Sequence, residues 1–435
     1  MNGKGILSRA ILVVCFAVWP LYHAPTYAAD APAPLLKQGQ PVDWWFVFKF
    51  NTKSFPGCAA GAKRACLFGG DVQNYPKNFS QQFIYANSDS PSFQIGNTCL
   101  GDTTRDPLGA TFDQVYNGSY NYVLWNDQFY KDPDLPACKH RTNCDAPWAH
   151  SKGMLAWDAN GNGFVMQVST PNWPGAGNNQ LSRANGNTLG CMKDDQGNPQ
   201  NNVWVSQHFF AAKLNKDDVV TVLKALQKAS VVTARNTPHD SQSQIVKNGG
   251  PGDIQDLVQG LGRLSEDATF SKEILSSGVQ IISKPPDMHV PPWQMVSAVL
   301  GTAPLRVATW LTGPNKILDT TGTKPQCWDS TLDDPGPVTN AETGQWKGTS
   351  FGLTGAPSPN RNHAKIGVST SGKLAIFGDL NQAGTLSEPC DVSQNTRGGL
   401  FFVVENQVLA AGLRSLMNGG PDGAAKGGKT TGKKK

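Results

Sequence analysis

Two short motifs of the same chemical character, far apart in the chain, constrain its fold more than any other feature. They are His150-Ser151-Lys152 and His363-Ala364-Lys365, and a strand–turn–strand pattern follows each of them. The apolar segments of these patterns are 153–158 and 163–169 after the first motif, and 366–369 and 373–379 after the second. This repeated order of motif, strand, turn and strand predicts two similarly built halves.

The spacing within each motif suits the binding of an anion. Side chains of a strand alternate between its two faces, so an imidazole and an ammonium two residues apart point the same way. One such pair can hold an anion and offer it a nucleophile or an acid. Two pairs, one from each half, can close on a single phosphodiester, so the sequence predicts that the motifs share one pocket.

The N-terminal residues have the pattern of an export signal. Lys4 and Arg9 supply positive charge, an apolar core runs from Ala10 to Leu21, and Ala28 or Ala29 ends a small-residue cleavage site. The apolar core is too short for a stable membrane span, and no later stretch reaches spanning length. We therefore expect an exported protein, secreted or periplasmic, that does not bind a membrane.

The length of 435 residues suits two domains or one large duplicated body. The polar stretch 234–253 is rich in Ser, Gln and Gly and is interpreted as the connection between the halves. The predicted organisation is a signal peptide at 1–29, an N-terminal half at 30–233, the connection at 234–253, a C-terminal half at 254–416, and a disordered basic tail at 417–435.

The cysteines indicate a disulfide-bonded protein. Of nine cysteines, Cys15 leaves with the signal, and an even set remains for an oxidising compartment. Proximity in the sequence favours Cys58–Cys66 and Cys138–Cys144, and Cys327–Cys390 is expected within the second half. Cys99–Cys191 is then left by elimination. Because no Cys-x-x-Cys pair is present, the spacings do not favour zinc, and no metal site is predicted.

Apolar and amphipathic patterns predict both strands and helices. The predicted strands include 42–50, 121–125, 203–210, 305–310 and 399–404. The clearest helix is 216–228, which Asn215 can cap, and further helices are expected near 292–300 and at the C-terminal end through Leu413. Buried strands mixed with helices predict an α/β fold with layers around mixed sheets.

The chain resembles the deoxyribonuclease II family, which is placed with the phospholipase D superfamily through its paired His-x-Lys motifs. The blocks that carry the resemblance are Gly39–Trp44, Asn126-Asp127-Gln128, His150–Gly153 with Asp158, Pro171–Pro174, Asn187–Cys191, Asn362–Lys365, Gly378–Asn381 and Arg397-Gly398-Gly399. Only the motif blocks are specific individually, and the order of all the blocks supports the resemblance. It implies a phospholipase D-like α/β fold of two pseudo-symmetric halves, with mixed sheets flanked by helices and the active site between the halves.

The resemblance implies a metal-independent acid endonuclease that leaves 3′-phosphate ends on DNA. One histidine attacks phosphorus to give a phosphohistidine, and the other protonates the departing 5′ oxygen and then activates water. His150 and His363 would have these catalytic roles, with Lys152 and Lys365 offsetting phosphate charge without a cofactor. The choice of nucleophile stays open, with a preference for His150. A reference histidine pKa of about 6.5 suits this division of roles in mild acid.

Other polar residues are weaker candidates. Asn172, Asp379 and Asn381 are expected to orient the imidazoles, although such residues in turns usually serve backbone geometry. Lys284 is expected at the surface. The histidines after the predicted signal and outside the motifs, interpreted as structural or exposed, are His140, His208, His239 and His289. Four tryptophans are expected in the core rather than stacked on bases; they are Trp44, Trp45, Trp125 and Trp310.

Two departures from the family pattern bear on activity. Val168 stands where the family usually has a histidine, before its Pro-Asn-Phe-Pro turn, and Ala364 stands where the family prefers serine. The lost imidazole would lower activity, change its pH dependence or move that role to another residue. Both His-Lys pairs are nevertheless complete.

The expected partner is DNA, contacted through its phosphates with little base specificity, because no sequence-reading motif is visible. A homodimer is not needed to complete a site, but it could form a clamp around DNA. Two alternatives stay open. One is another phospholipase D-type phosphodiesterase, such as a phospholipase. The other is an exported nucleic-acid-binding protein with reduced or lost catalysis, which Val168 permits.

Overall fold

The apolar runs of the sequence form the central strands of two large sheets. The computed structural model describes residues 31–55, 66–68, 82–98, 100–101, 103–129, 144–171, 205–234, 245–356 and 358–417. Within these residues, one sheet has eight strands, a second has seven, and two further sheets have two strands each.

The eight-stranded sheet has the order β10-β6-β7-β8-β9-β3-β4-β5, and its neighbouring strands are antiparallel. Its strands are β3 (Trp44–Lys49), β4 (Phe83–Asn87), β5 (Gln94–Ile95), β6 (Asn121–Asn126), β7 (Lys152–Trp157), β8 (Gly163–Val168), β9 (Gln207–Leu214) and β10 (Val246–Lys247). A small hairpin precedes them in the chain, formed by β1 (Leu35–Lys37) and β2 (Gln40–Pro41). Every residue of β3, β7 and β8 is buried, as their continuous apolar sequences predict.

The seven-stranded sheet has the order β11-β12-β19-β18-β17-β13-β14 and is mixed, because β13 and β14 are parallel. Its strands are β11 (Ser271–Ile274), β12 (Gln280–Lys284), β13 (Leu305–Ala308), β14 (Val338–Asn340), β17 (Ile366–Ser369), β18 (Leu374–Gly378) and β19 (Gly399–Glu405). The remaining hairpin is formed by β15 (Thr343–Trp346) and β16 (Thr349–Gly352).

The helices are short and mostly amphipathic. They are α1 (Pro107–Tyr116), α2 (Lys216–Lys228), α3 (Gly252–Gln259), α4 (Pro292–Val299) and α5 (Gln407–Leu416), with 3₁₀ turns at Pro286–Met288 and Ser393–Thr396. Helix α2 has the predicted bounds, and the side chains of Asn215 and Asp218 form a capping box at its start. Its apolar stripe of Val219, Val222, Leu223 and Leu226 is buried.

Aromatic side chains pack the two large sheets against each other. Phe377 of the seven-stranded sheet stacks on Phe46 and Phe210 of the eight-stranded sheet, with ring centroids 4.4 and 4.8 Å apart. Phe402 also contacts Phe210. Such aromatic pairs add about 0.5–1.5 kcal/mol beyond the burial of their area. The core is therefore continuous between the sheets, which fixes the relative position of the loops at their edges.

The predicted α/β class is confirmed. The described residues belong to one compact unit that starts at Ala31, and the division into two halves at 234–253 stays a prediction. That connecting segment carries β10, which pairs with β6. The predicted strand at 203–210 lies four residues later, as β9. No helix in the described part of the chain is long and apolar enough to cross a membrane.

The predicted Cys327–Cys390 disulfide is confirmed. Cys66 and Cys144 are also disulfide-bonded, as expected, and their predicted partners Cys58 and Cys138 lie outside the described residues. Cys99, Cys191, the predicted signal peptide and the tail beyond Met417 lie outside them too.

Candidate active site

The two motif histidines lie immediately before strands, not on them. His150 precedes β7, which begins at Lys152, and His363 precedes β17, which begins at Ile366. The predicted position of the two histidines on strands is therefore wrong, and the alignment of each imidazole with its lysine stays a prediction. Both histidines have 9% of their surface exposed, so each lies in a largely buried site.

A backbone hydrogen bond ties each histidine to the other large sheet. The N–H of His150 donates to the carbonyl of Gly398 at 2.9 Å, just before β19 of the seven-stranded sheet. The N–H of His363 donates to the carbonyl of Ser206 at 2.7 Å, just before β9 of the eight-stranded sheet. These reciprocal bonds bring the two motifs together, although they are more than 200 residues apart in the sequence.

Backbone carbonyls also fix the tautomer of both imidazoles. Nδ1 of His150 donates to the carbonyl of Asp379 at 2.9 Å, and Nδ1 of His363 donates to the carbonyl of Ser169 at 2.6 Å. Because a carbonyl only accepts, the ring proton is on Nδ1 and the lone pair is on Nε2. Each neutral ring thus has Nε2 available to attack an electrophile or to take a proton.

Cations around the site favour the neutral form of both rings. Burial, followed by the charges of Lys152, Arg397 and Lys365, holds the pKa of His150 well below its usual value. Burial, followed by Lys365, Lys152 and His150, does the same to the pKa of His363. Each ring therefore lies in the field of the other motif, and neither shows the ordinary pKa assumed from the sequence.

The first motif lysine belongs to a buried ion network. Lys152 Nζ donates to one carboxylate oxygen of Asp127, and Arg397 Nη2 donates to the other at 2.9 Å. The Arg397 guanidinium also donates to the carbonyls of Cys144 at 2.6 Å, Ala149 at 3.0 Å and Trp148 at 3.0 Å. Arg397 therefore holds the segment that leads into His150, and Asp127 offsets part of the positive charge of the site.

The second motif lysine binds its own histidine. Lys365 Nζ donates to the carbonyl of His363 at 2.8 Å and lies 3.2 Å from Nδ1 of the same residue. Since Nδ1 uses its proton in the shorter bond to Ser169, the ammonium is held by the carbonyl. Burial, followed by the charge of Lys152, holds the pKa of Lys365 well below its usual value.

Comparison with known proteins identifies the family of the chain. The sequence profile of the deoxyribonuclease II family matches residues 34–419. The chain belongs to the deoxyribonuclease II family. It is also similar to deoxyribonuclease-2-alpha of Sus scrofa, with 26% identity over 162 residues, which are 35% of this chain. The matched region spans 37% of that relative's length.

Within this member of the deoxyribonuclease II family, Asp379 lies between the two motifs. Its carboxylate accepts from Gln167 Nε2 at 3.0 Å and from the backbone N–H of Leu400 at 3.0 Å. Burial raises the pKa of Asp379 to about 7, against the opposing effect of its hydrogen bonds and of Lys152. The carboxyl group is therefore mainly protonated in acid and mainly ionised above pH 7.

The structure connects Asn381 to His363 through Trp310. Its side-chain oxygen accepts from the backbone N–H of Trp310 at 3.3 Å, and the Trp310 ring packs edge-on against His363 with centroids 4.9 Å apart. Asn381 thus contacts the residue that packs on the His363 ring, and Trp310 is only half-buried rather than in the core. Asn172 lies outside the described residues.

His208, interpreted from the sequence as structural or exposed, is buried beside the second motif. It is fully buried, and its Nδ1 accepts from the backbone N–H of Lys365 at 3.1 Å. Its Nε2 lies 3.5 Å from Gln167 Oε1, and Gln167 in turn binds Asp379. Burial, followed by Lys365, holds the pKa of His208 well below its usual value, so it stays a neutral acceptor.

The expectation of a surface position for Lys284 is wrong. This lysine is fully buried, and its Nζ donates to three backbone carbonyls. Burial lowers its pKa to about 7. The apolar residues Ile281 and Ile282 before it were a signal that β12 enters the core.

The two departures from the family pattern are both buried. Val168 ends β8, and the next residue, Ser169, supplies the carbonyl for His363. Ala364 is fully buried, and its N–H donates to Asn362 Oδ1 at 3.0 Å. Val168 therefore contributes no imidazole next to the carbonyl that holds His363.

Proposed function

We propose that this chain is an acid endonuclease that hydrolyses DNA phosphodiester bonds through a phosphohistidine intermediate. The proposal rests on one observation above all. Two buried imidazoles from distant motifs each have Nδ1–H bound to a carbonyl and Nε2 available. That pairing matches a reaction that needs one nucleophile and one group that transfers protons.

In the first step, Nε2 of one histidine attacks phosphorus and the bond to the 5′ oxygen breaks. The other histidine, protonated at Nε2, gives its proton to that oxygen. In the second step it takes a proton from water, which attacks phosphorus and breaks the phosphorus–nitrogen bond. The products are a 5′-hydroxyl and a 3′-phosphate, and both rings return to their initial state.

The charges around the site support binding of a phosphodiester without a metal ion. Below pH 7, Asp379 is mainly neutral, and the cations Lys152 and Arg397 face the single carboxylate of Asp127. This balance is positive and attracts an anion. Above pH 7, ionised Asp379 offsets more of that charge, which gives a physical reason for an acid preference.

Protonation of one imidazole before attack requires help, because both ring pKa values are low. A bound phosphodiester supplies a negative charge next to both rings. That charge raises their pKa and favours one proton on the pair. Substrate binding and the activation of the acid are therefore linked.

The proposal includes export and phosphate-directed recognition. The Cys327–Cys390 disulfide is typical of an oxidising compartment. Recognition through phosphates would make binding salt-dependent and largely independent of sequence. The homodimer stays a prediction.

Digestion of plasmid DNA in EDTA from pH 4 to 8, with analysis of the ends, tests the proposal. We expect nicking that is fastest below pH 7, with 3′-phosphate ends. His150→Ala and His363→Ala should each lower kcat by about 10³-fold. The exposed residue His289 provides the control variant His289→Asn, which should retain full activity. Full activity of both alanine variants would contradict the mechanism.

A second candidate is a DNA-binding protein with lost catalysis, favoured by the apolar Val168 at a position where the family usually has a histidine. DNA binding by the wild-type chain without 3′-phosphate formation at any pH from 4 to 8 would support it.

A parallel assay with phosphatidylcholine tests the remaining alternative, another phospholipase D-type phosphodiesterase. Hydrolysis of that lipid without DNA cleavage would assign a different substrate to the same chemistry.

A further inference from the structure

Two fully buried lysines outside the paired motifs have no role in the chemistry described above. Lys49 is the last residue of β3, and Lys284 is the last residue of β12. Both have 0% of their surface exposed. An ammonium in such a place is costly unless its N–H groups are bonded, so the position of its acceptors should explain its presence.

The two lysines occupy equivalent places in the two large sheets. Lys49 pairs with Gln207, the first residue of β9, and Lys284 pairs with Gly399, the first residue of β19. Each lysine is thus opposite the point where the neighbouring strand begins. The same point is where the chain leaves the candidate active site.

The acceptors of the two ammonium groups are equivalent as well. Lys49 Nζ donates to the carbonyl of the next residue at 3.1 Å and to the carbonyl of Val205 at 2.7 Å. Lys284 Nζ donates to the carbonyl of the next residue at 3.2 Å and to the carbonyl of Arg397 at 3.1 Å, with a further bond to Asn395 at 2.8 Å. Val205 and Arg397 each lie two residues before the strand residue that pairs with the lysine.

One residue lies between the carbonyl that the lysine binds and the start of the neighbouring strand. The carbonyl of that residue accepts a hydrogen bond from the backbone N–H of a motif histidine. Ser206 follows Val205, and its carbonyl accepts from the N–H of His363. Gly398 follows Arg397, and its carbonyl accepts from the N–H of His150. The relation is crossed: the lysine of the eight-stranded sheet supports the second motif, and the lysine of the seven-stranded sheet supports the first.

We propose that Lys49 and Lys284 are positioning residues, Lys49 for His363 and Lys284 for His150. This inference rests on the proposed function, because it assigns both histidines to the reaction. Each ammonium fixes a carbonyl one peptide away from the carbonyl that orients the histidine backbone. Without it, that peptide can rotate and the imidazole shifts, and a shift of about 1 Å in a catalytic group costs about 100-fold in rate.

If the two lysines only stabilise the fold, replacing either one should disturb both histidines equally. The crossed relation instead predicts that replacing Lys49 disturbs His363 and replacing Lys284 disturbs His150. An oligonucleotide with a single 5′-bridging sulfur separates them, because a thiolate leaves without being protonated. A defect in the general acid then nearly disappears from the rate of the first step, whereas a defect in the nucleophile persists. The ratio of the single-turnover rates of release of the 5′ fragment from the normal and the sulfur-bridged oligonucleotide therefore identifies which histidine is displaced.

The variants are Lys284→Met and Lys49→Met, compared with His150→Ala and His363→Ala on both oligonucleotides. Methionine keeps the aliphatic volume and removes the donor. We expect each folded lysine variant to lower kcat at least about 10-fold with KM changed less than about 2-fold. The ratio of the rates on the two oligonucleotides should change in the same direction in Lys284→Met as in His150→Ala. It should change in the same direction in Lys49→Met as in His363→Ala. The exposed Lys373 gives the control Lys373→Met, with no expected effect.

The outcomes separate this inference from the proposed function. Full activity of both histidine variants would contradict the proposed function itself. Impaired histidine variants alongside folded Lys→Met variants of normal kcat would overturn the positioning roles, as would identical or uncrossed ratios. If a methionine variant does not fold, the glutamine variant, which keeps two N–H donors, enters the same assay. Failure of both variants to fold would assign that lysine to folding and overturn its positioning role.

Discussion

The lysines of the two motifs share a spacing but not an environment. Lys152 is neutralised by Asp127, which also binds Arg397, whereas Lys365 is held by the carbonyl of its own histidine. The first lysine therefore belongs to an ion network that shapes the backbone before His150. The second is a less compensated cation beside His363. From these environments we expect Lys152 to stabilise the fold and Lys365 to bind the phosphate.

Replacing each motif lysine with methionine tests this difference. Among the variants of this section, these two should show the largest changes in stability and in kcat. Lys152→Met leaves a buried carboxylate with one partner fewer, so we expect a loss of about 3–5 kcal/mol in the free energy of unfolding. Lys365→Met removes a buried ammonium held by a carbonyl, so stability should change little, and kcat should fall by about 10²–10³-fold. Guanidinium denaturation and initial rates of plasmid nicking measure both quantities. Equal losses of stability in the two variants would remove the distinction.

The carbonyls that hold the two imidazoles also differ, since one belongs to a titratable residue. Asp379 has a pKa of about 7 in the folded protein, above its usual value near 4. Its contribution to stability is therefore complete below pH 4 and is lost as pH rises through 7, with a slope of at most about 1.4 kcal/mol per pH unit. Asp379→Asn should abolish this part of the pH dependence, as measured by denaturation from pH 4 to 8. An unchanged slope in that variant would place the titration elsewhere.

Replacing Asn381 should lower kcat least among these variants, and the change should act only through His363 of the second motif. It reaches His363 through the backbone of Trp310, by one hydrogen bond of 3.3 Å. Loss of a hydrogen bond of this kind is worth about 1 kcal/mol, so Asn381→Ala should lower kcat about 5-fold. Steady-state kinetics on DNA give the value. A loss as large as that of His363→Ala would mean that Asn381 contacts the reacting groups directly.

Local patterns were sufficient to predict much of the fold. The hairpins after both motifs, the buried strand β3 and the capped helix α2 are each set by residues close together in sequence. Spacing along a chain carries that information because burial and capping follow the period of the element. The proximity of the two motifs was predicted as well, from their repeated order and from the family resemblance.

The parts of the site that the sequence did not reveal depend on contacts between distant residues. Asp127 and Arg397 are 270 residues apart, and His208 meets the backbone of Lys365 from 157 residues away. No local spacing encodes such contacts. Lys284 was misplaced for a related reason: a single lysine after two isoleucines gives no sign of three carbonyls arranged around it.

The most direct test of a shared site is to trap the covalent intermediate on DNA. Sulfur-bridged oligonucleotide is mixed with His150→Ala or His363→Ala, quenched in alkali, and the modified peptide is mapped by mass spectrometry. We predict that one of the two variants accumulates a DNA adduct on the histidine of the other motif, and that the double variant forms none. Absence of an adduct from both single variants, or an adduct outside the two motifs, would contradict the account.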